Sequence, residues 1–90
     1  MTADSIVATV SGLAARVAGP GRMPDTVGRA TRLADELWFD SAEMLELLVA
    51  CEVAFDIRFD ERHDFAPGTL DTIGAVADLV ARKQREQGRP

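Results

Sequence analysis

The 90 residues hold one cysteine, one histidine, one tryptophan, one lysine and no tyrosine. A lone cysteine, Cys51, excludes an internal disulfide, has no metal-ligand spacing around it, and fits a reducing compartment. No stretch approaches the ~20 apolar residues of a membrane span. The opening "MTADSIVATV" lacks the basic stretch with which a signal peptide begins. Basic residues are also scarce where nucleic acid would need them. Net charge is -5, and residues 34 to 64 hold ten acids against Arg58 and Arg62 alone. Nucleic-acid binding requires a basic footprint and is disfavoured. A soluble cytoplasmic protein without nucleic-acid or membrane partners is expected, and a partner with a positive patch would be attracted to the acidic centre.

Apolar residues make up 47% of the chain, enough for one small core and no more than one domain. "TADSIVATVSGLAARVAG" places Ile6, Val7, Val10, Leu13, Ala14 and Val17 on one helical face. Asp4 or Ser5 could cap it, and Gly19-Pro20-Gly21 would stop it. Residues 20 to 37 contain Pro20, Gly21, Pro24 and Gly28 and read as a long loop, with Val27, Leu33 and Leu37 available to pin it to the core. A second helix is expected from about Ser41 to Asp56. Asp40 is a good N-cap and Glu43 stands three residues on, the spacing of a capping box. Met44, Leu47, Leu48, Cys51 and Phe55 form its inward stripe. Leu45, Val49 and Val53 are left among acids on the other side, as a docking surface would have them or as a covering loop would bury them.

"DERHDF" could form one short helical turn before the Pro67-Gly68 turn signal. The last helix should begin near Thr69 to Thr72, with Leu70, Ile73, Val76, Ala77 and Val80 inward and Leu79 at the flank. Arg82, Lys83 and Arg85 suit its C-terminal dipole. The ordered core should span about 4–82, with a frayed basic tail over 83–90. Three substantial helices, one short one and a long first loop make an all-α, small four-helix antiparallel bundle.

Little of the reactive chemistry survives inspection. Ser41, His63 and an acid supply the residue types of a triad. There is no Gly-x-Ser-x-Gly elbow and little room for a shielded pocket, so enzyme activity is not expected. Asp60, Glu61, His63 and Asp64 lack the alternation and glycine of a calcium loop and read as a solvated acidic turn. Cys51 lies on the core stripe and should be inert. Ser41 differs, because the residue before it can cap the helix. Its hydroxyl is then free to project from a first turn whose N–H groups and dipole favour a phosphate.

"LWFDSAEMLELL" has Leu37, Asp40, Ser41 and Glu46-Leu47 in step with the acyl carrier protein family, which includes peptidyl carriers. "ACEVAFDIRF" resembles that family's close of helix II, and "LDTIGAVADLV" resembles the opening of its last helix. The resemblance covers about Leu33 to Val80. It implies a bundle of acyl-carrier type with 4'-phosphopantetheine, taken from coenzyme A by a magnesium-dependent phosphopantetheinyl transferase, attached to Ser41 beside Asp40. The arm would hold an acyl or aminoacyl group as a thioester for a loading enzyme and for downstream synthase or tailoring enzymes. Ala42, Glu43, Leu45, Glu46, Val49 and Glu52 would by position form the docking face of a monomeric carrier. Trp38-Phe39 replaces the small residues usual before Asp-Ser, and Ala42 the usual leucine after it. Both rings could plug the core, or one could lie beside the arm. These departures, with an arginine-rich, alanine-rich composition, lean toward a bacterial polyketide or nonribosomal-peptide type pathway. A carrier-like domain never modified, acting as an interaction module through the same face, is the alternative.

Overall fold

The computed structural model describes residues 2–88. Its elements are α1 (Ala3–Ala18), α2 (Ser41–Phe55) and α3 (Ile73–Glu86). No strand occurs among the described residues, only an isolated antiparallel bridge between Arg32 and Thr72. The Cα radius of gyration is 12.1 Å, against about 12 Å for one compact body of this length.

Each helix starts on a side-chain oxygen that takes an otherwise unpaired first-turn N–H. Thr2 caps α1 by accepting the Ser5 N–H at 3.1 Å, so the cap lies just ahead of the Asp4 or Ser5 expected from sequence. Asp40 caps α2 and Thr72 caps α3. α1 ends at Gly19, whose φ of 78° is open to glycine at no steric cost. The inward faces agree closely with the periodicity. Ile6, Val10, Leu13 and Ala14 from α1, Leu47, Cys51 and Phe55 from α2, and Ile73, Val76, Ala77 and Val80 from α3 are buried in one cluster. α1 packs more extensively on α3 than α2 does.

The long loop is not structureless. Leu33, Leu37 and Phe39 are buried in the core, with Val27 packed against it. Its backbone also closes the start of α3. Ile73 donates to the Thr31 carbonyl at 3.0 Å and Gly74 to the Arg29 carbonyl at 2.9 Å. The Ala75 N–H takes the Thr72 hydroxyl at 3.0 Å, and the Val76 N–H the Thr72 carbonyl at 3.1 Å. Every N–H of that first turn is therefore satisfied.

"DERHDF" forms the single turn expected of it, with the Asp64 N–H donating to the Asp60 carbonyl at 2.8 Å, and does not extend into a fourth helix. Local side-chain bonds compete with helix here. Asp60 Oδ1 accepts the Arg62 N–H at 2.9 Å, and the Asp64 carboxylate turns back onto the Asp60 N–H. The described residues thus form a three-helix bundle. Nor is this turn fully solvated: Asp64 is buried, its oxygens 2.9 Å from Lys83 Nζ and 2.9 Å from Arg82 Nη2. Burial resists ionisation of that carboxyl. The Asp60 N–H, Lys83 and Arg82 outweigh it and hold the group below the usual carboxylate range. α3 continues through Glu86, with Lys83 and Gln84 buried, over residues assigned from sequence to the tail. Positions 89 and 90 lie outside the described residues.

Three substitutions test these contacts. A Cβ on Gly74 would meet Arg29 Cβ and the Arg29 carbonyl oxygen, both at 2.9 Å, whereas one on Gly12 meets nothing within 4 Å. Gly74→Ala should cost about 1–3 kcal/mol by overpacking, and Gly12→Ala should stabilise by roughly 0.5–1 kcal/mol through helix propensity, both read from urea midpoints. Asp64→Asn should cost about 1.5–3 kcal/mol at neutral pH, the worth of hydrogen bonds to a charged group, since Lys83 loses one carboxylate and keeps Glu86 at 3.1 Å. The folded Asp64 carboxyl titrates below the unfolded one. Its contribution is therefore complete above about pH 4 and disappears as pH falls through the folded value. Urea melts across the acid range should show a flatter acid limb in the variant.

Candidate functional site

Asp40 is extended (φ -91°, ψ -178°) and completes a capping box with Glu43. Its Oδ1 accepts the Glu43 N–H at 2.8 Å, and Glu43 Oε1 accepts the Asp40 N–H at 3.3 Å. Ser41 is consequently the first helical residue and is exposed. Neither its hydroxyl nor the backbone N–H groups of Ser41 and Ala42 find a hydrogen-bond partner among the described residues. The start of α3 is closed by loop carbonyls; the start of α2 is open around a free hydroxyl.

The platform beneath Ser41 is built by Arg22, a loop residue not singled out in the sequence. Its Nη2 donates to the Leu37 carbonyl at 2.7 Å and its Nη1 to the Ala18 carbonyl at 3.3 Å. The same guanidinium takes both oxygens of Glu43, the Nη2–Oε1 distance being 3.1 Å. Its carbon lies 5.6 Å from the centre of the Phe39 ring, in cation–π range. The Arg22 hydrogen bond, opposed by burial and aided by the Asp40 N–H, holds the Glu43 carboxyl below the usual carboxylate range. The end of α1, the end of the loop and the start of α2 thereby meet on one side chain. The only sequence signal was a lone cation between two turn signals, Pro20-Gly21 and Pro24.

The two aromatics before Asp40 part company. Phe39 is buried and fulfils the expected plug. Trp38 does not: it is 74% exposed and has a left-handed φ of 60°. That conformation costs an L-residue roughly 1–2 kcal/mol. With Leu37 and Phe39 both taken into the core, the residue between them is turned outward.

Along α2, Leu45, Val49 and Val53 are exposed at 61%, 49% and 80%. The loop does not cover them, because its apolar side chains go to the core. Ala42 and Glu46 are exposed beside them. Glu43 is engaged by Arg22, and Glu52 Oε2 accepts the Phe59 N–H at 2.9 Å, so these two carboxylates are partly spent inside the molecule. Cys51 is buried; burial, with Glu52 nearby, pushes its thiol up to about 12. It has no thiolate to offer. His63 is exposed with Nε2 3.9 Å from Asp60 Oδ2. Among the described residues no group of three or more histidines, cysteines or acids could hold a metal.

Arg22→Lys keeps the charge but loses the planar fork that reaches two carbonyls and a carboxylate together. It should lose most of what Arg22→Ala loses in urea midpoint, and both variants should speed amide exchange at Phe39 and Met44. Compared with known proteins, the chain matches no family model, no curated protein and no solved structure.

Proposed function

We propose that the chain is a carrier protein whose Ser41 receives a 4'-phosphopantetheine arm. The observation that carries this is the unpartnered, exposed Ser41 hydroxyl on an open first turn, with the capping role taken by Asp40. The resemblance of "LWFDSAEMLELL" to acyl and peptidyl carriers supports it, and the turn at 60–64 stands where a carrier of four helices has its short one. The arm supplies a thiol that holds an acyl or aminoacyl group as a thioester. A partner transferase with magnesium would bring coenzyme A to Ser41. Oγ then attacks the pyrophosphate, a P–O bond forms to the serine, the bond to 3',5'-ADP breaks, and the hydroxyl proton passes to the transferase.

The first turn suits a phosphodiester. The Ser41 and Ala42 N–H groups are free to face it, and the helix dipole favours its charge. The adjacent carboxylate of Glu43 is neutralised by Arg22, which lessens repulsion of the incoming pyrophosphate. Partners would dock on Ala42, Leu45, Glu46, Val49 and Val53 through a modest apolar patch, with the surrounding acids steering basic surfaces to it, a combination suited to fast exchange. A loading enzyme and downstream enzymes of a bacterial polyketide or nonribosomal-peptide type pathway are the partners this reading calls for. The same exposed face supports a second reading, an unmodified module that binds proteins through α2.

Incubation with coenzyme A, magnesium and a promiscuous phosphopantetheinyl transferase should add the mass of one phosphopantetheine to the parent. Ser41→Ala should gain nothing. No gain in a folded parent across several transferases leaves the second reading.

A further inference from the structure

The chain's one lysine is Lys83, against nine arginines. It lies near the end of α3 and is 7% exposed. Its Nζ is 2.9 Å from Asp64 Oδ2, in the turn at 60–64, and 3.1 Å from Glu86 Oε1 on its own helix. Arg82 shares both carboxylates, with Nη2 2.9 Å from Asp64 Oδ1 and Nε 3.6 Å from Glu86 Oε2. We propose that this ion cluster shields the chain's one ε-amine from acylation by a thioester cargo. The inference rests on the carrier reading and adds to it a condition on the surface around the cargo: no lasting acceptor for the acyl group.

The reaction opposed is aminolysis. A neutral amine attacks the thioester carbonyl, a C–N bond forms, the C–S bond breaks, and the nitrogen's proton goes to the departing thiolate of the arm. A tether holds the thioester at an effective concentration on the order of millimolar around its own protein. On a body whose longest extent is 36 Å, no exposed amine would be far from residue 41. Two barriers keep Lys83 out of this reaction. Its ammonium has no lone pair to attack with, and the hydrogen bond to Asp64, opposed by burial and aided by Glu86, raises its pKa above the usual lysine range. Burial then leaves an acyl donor no approach.

The other nucleophiles are disarmed in other ways. Cys51 is fully buried, with its thiol pushed up to about 12, and tyrosine is absent. Arginine keeps its proton and offers no free electron pair. Hydroxyls need an adjacent base. His63 is exposed, but an acyl imidazole passes its acyl group to water and retains none. A purely structural account of the cluster is less complete. A buried ion pair is weak evidence for stability, since apolar residues of similar volume often serve as well. Positive charge elsewhere among the described residues is carried by arginine, and the one lysine is the cation withdrawn from the surface.

N-hydroxysuccinimidyl acetate acylates the same amines fast enough to follow and tests the shield without a transferase. Peptide mapping reads acetylation of Lys83 against that of the amino terminus. In the folded parent Lys83 should react on the order of 100-fold more slowly than in the urea-unfolded chain, since it must wait for local opening. Arg85→Lys adds an amine at an exposed position two residues away, which should react as fast folded as unfolded. Asp64→Asn and Glu86→Gln, with helical circular dichroism retained, should each speed Lys83 by roughly 10-fold, the worth of a hydrogen bond to a charged group. Lys83 reacting in the folded parent as fast as the added amine, or at a rate that neither variant changes, would overturn the shield. The cargo is then tested on the parent, loaded by the transferase from acetyl coenzyme A, stored, and treated with hydroxylamine, which strips thioesters and spares amides. No acetyl group should remain, and one left on Lys83 would overturn the proposal while keeping the carrier. A protected Lys83 in a protein that no transferase modifies would remove the carrier, and with it the cargo.

Discussion

The Arg22 guanidinium ties together three pieces of chain at the surface of the core. It bonds a carbonyl at the end of α1, a carbonyl at the end of the loop and the carboxylate of the capping box, while lying against the Phe39 ring. The position of Ser41 follows from it. Asp40 can cap α2 only where the loop delivers it, and Leu37 and Phe39 can enter the core only if the backbone between them is held. One side chain therefore sets both the burial of the loop and the direction in which the helix presents its first residue. An arginine suits this task because its fork meets several acceptors without rearranging.

The two interhelical N-termini show how the same backbone problem is solved for different ends. At α3 the loop supplies carbonyls from Arg29 and Thr31, and glycine at position 74 lets the chain come close enough to do so. At α2 nothing among the described residues supplies the first two donors, which are left to water at an exposed helix end. The open end coincides with the serine and with uncovered apolar residues on the same helix, of which Leu45 and Val49 also line a groove between α1 and α2.

Much of the fold was legible because it is encoded locally. The Asp40–Glu43 spacing, the i, i+3, i+4, i+7 stripe from Met44 to Phe55 and the glycine after α1 each declare themselves within a few residues. What was illegible depends on distant partners. Asp64 reads as a surface acid until Lys83 and Arg82, on another element, arrive beside it. Arg22 acts over 21 residues of sequence on Glu43. Trp38 and Phe39 have similar hydrophobicity, and nothing in the pair says which goes inside; the left-handed turn at Trp38 decides it. The open hydroxyl at Ser41 could be anticipated, because a better cap stands directly before it. Nor could the groove between α1 and α2 be read from either helix alone, because Leu13, Arg16 and Val17 of its lining belong to α1 and the other five lining residues to α2.

Trp38 has a consequence of another kind. It is the chain's one indole, there is no tyrosine, and it stands in water three residues from Ser41. All tryptophan emission from this protein therefore originates beside the open helix end, and the buried core is silent at those wavelengths. Any body that settles over this corner changes the polarity around the ring and the colour of its light. The molecule thus carries, without labelling, an optical gauge of occupancy at the place where its chemistry would begin.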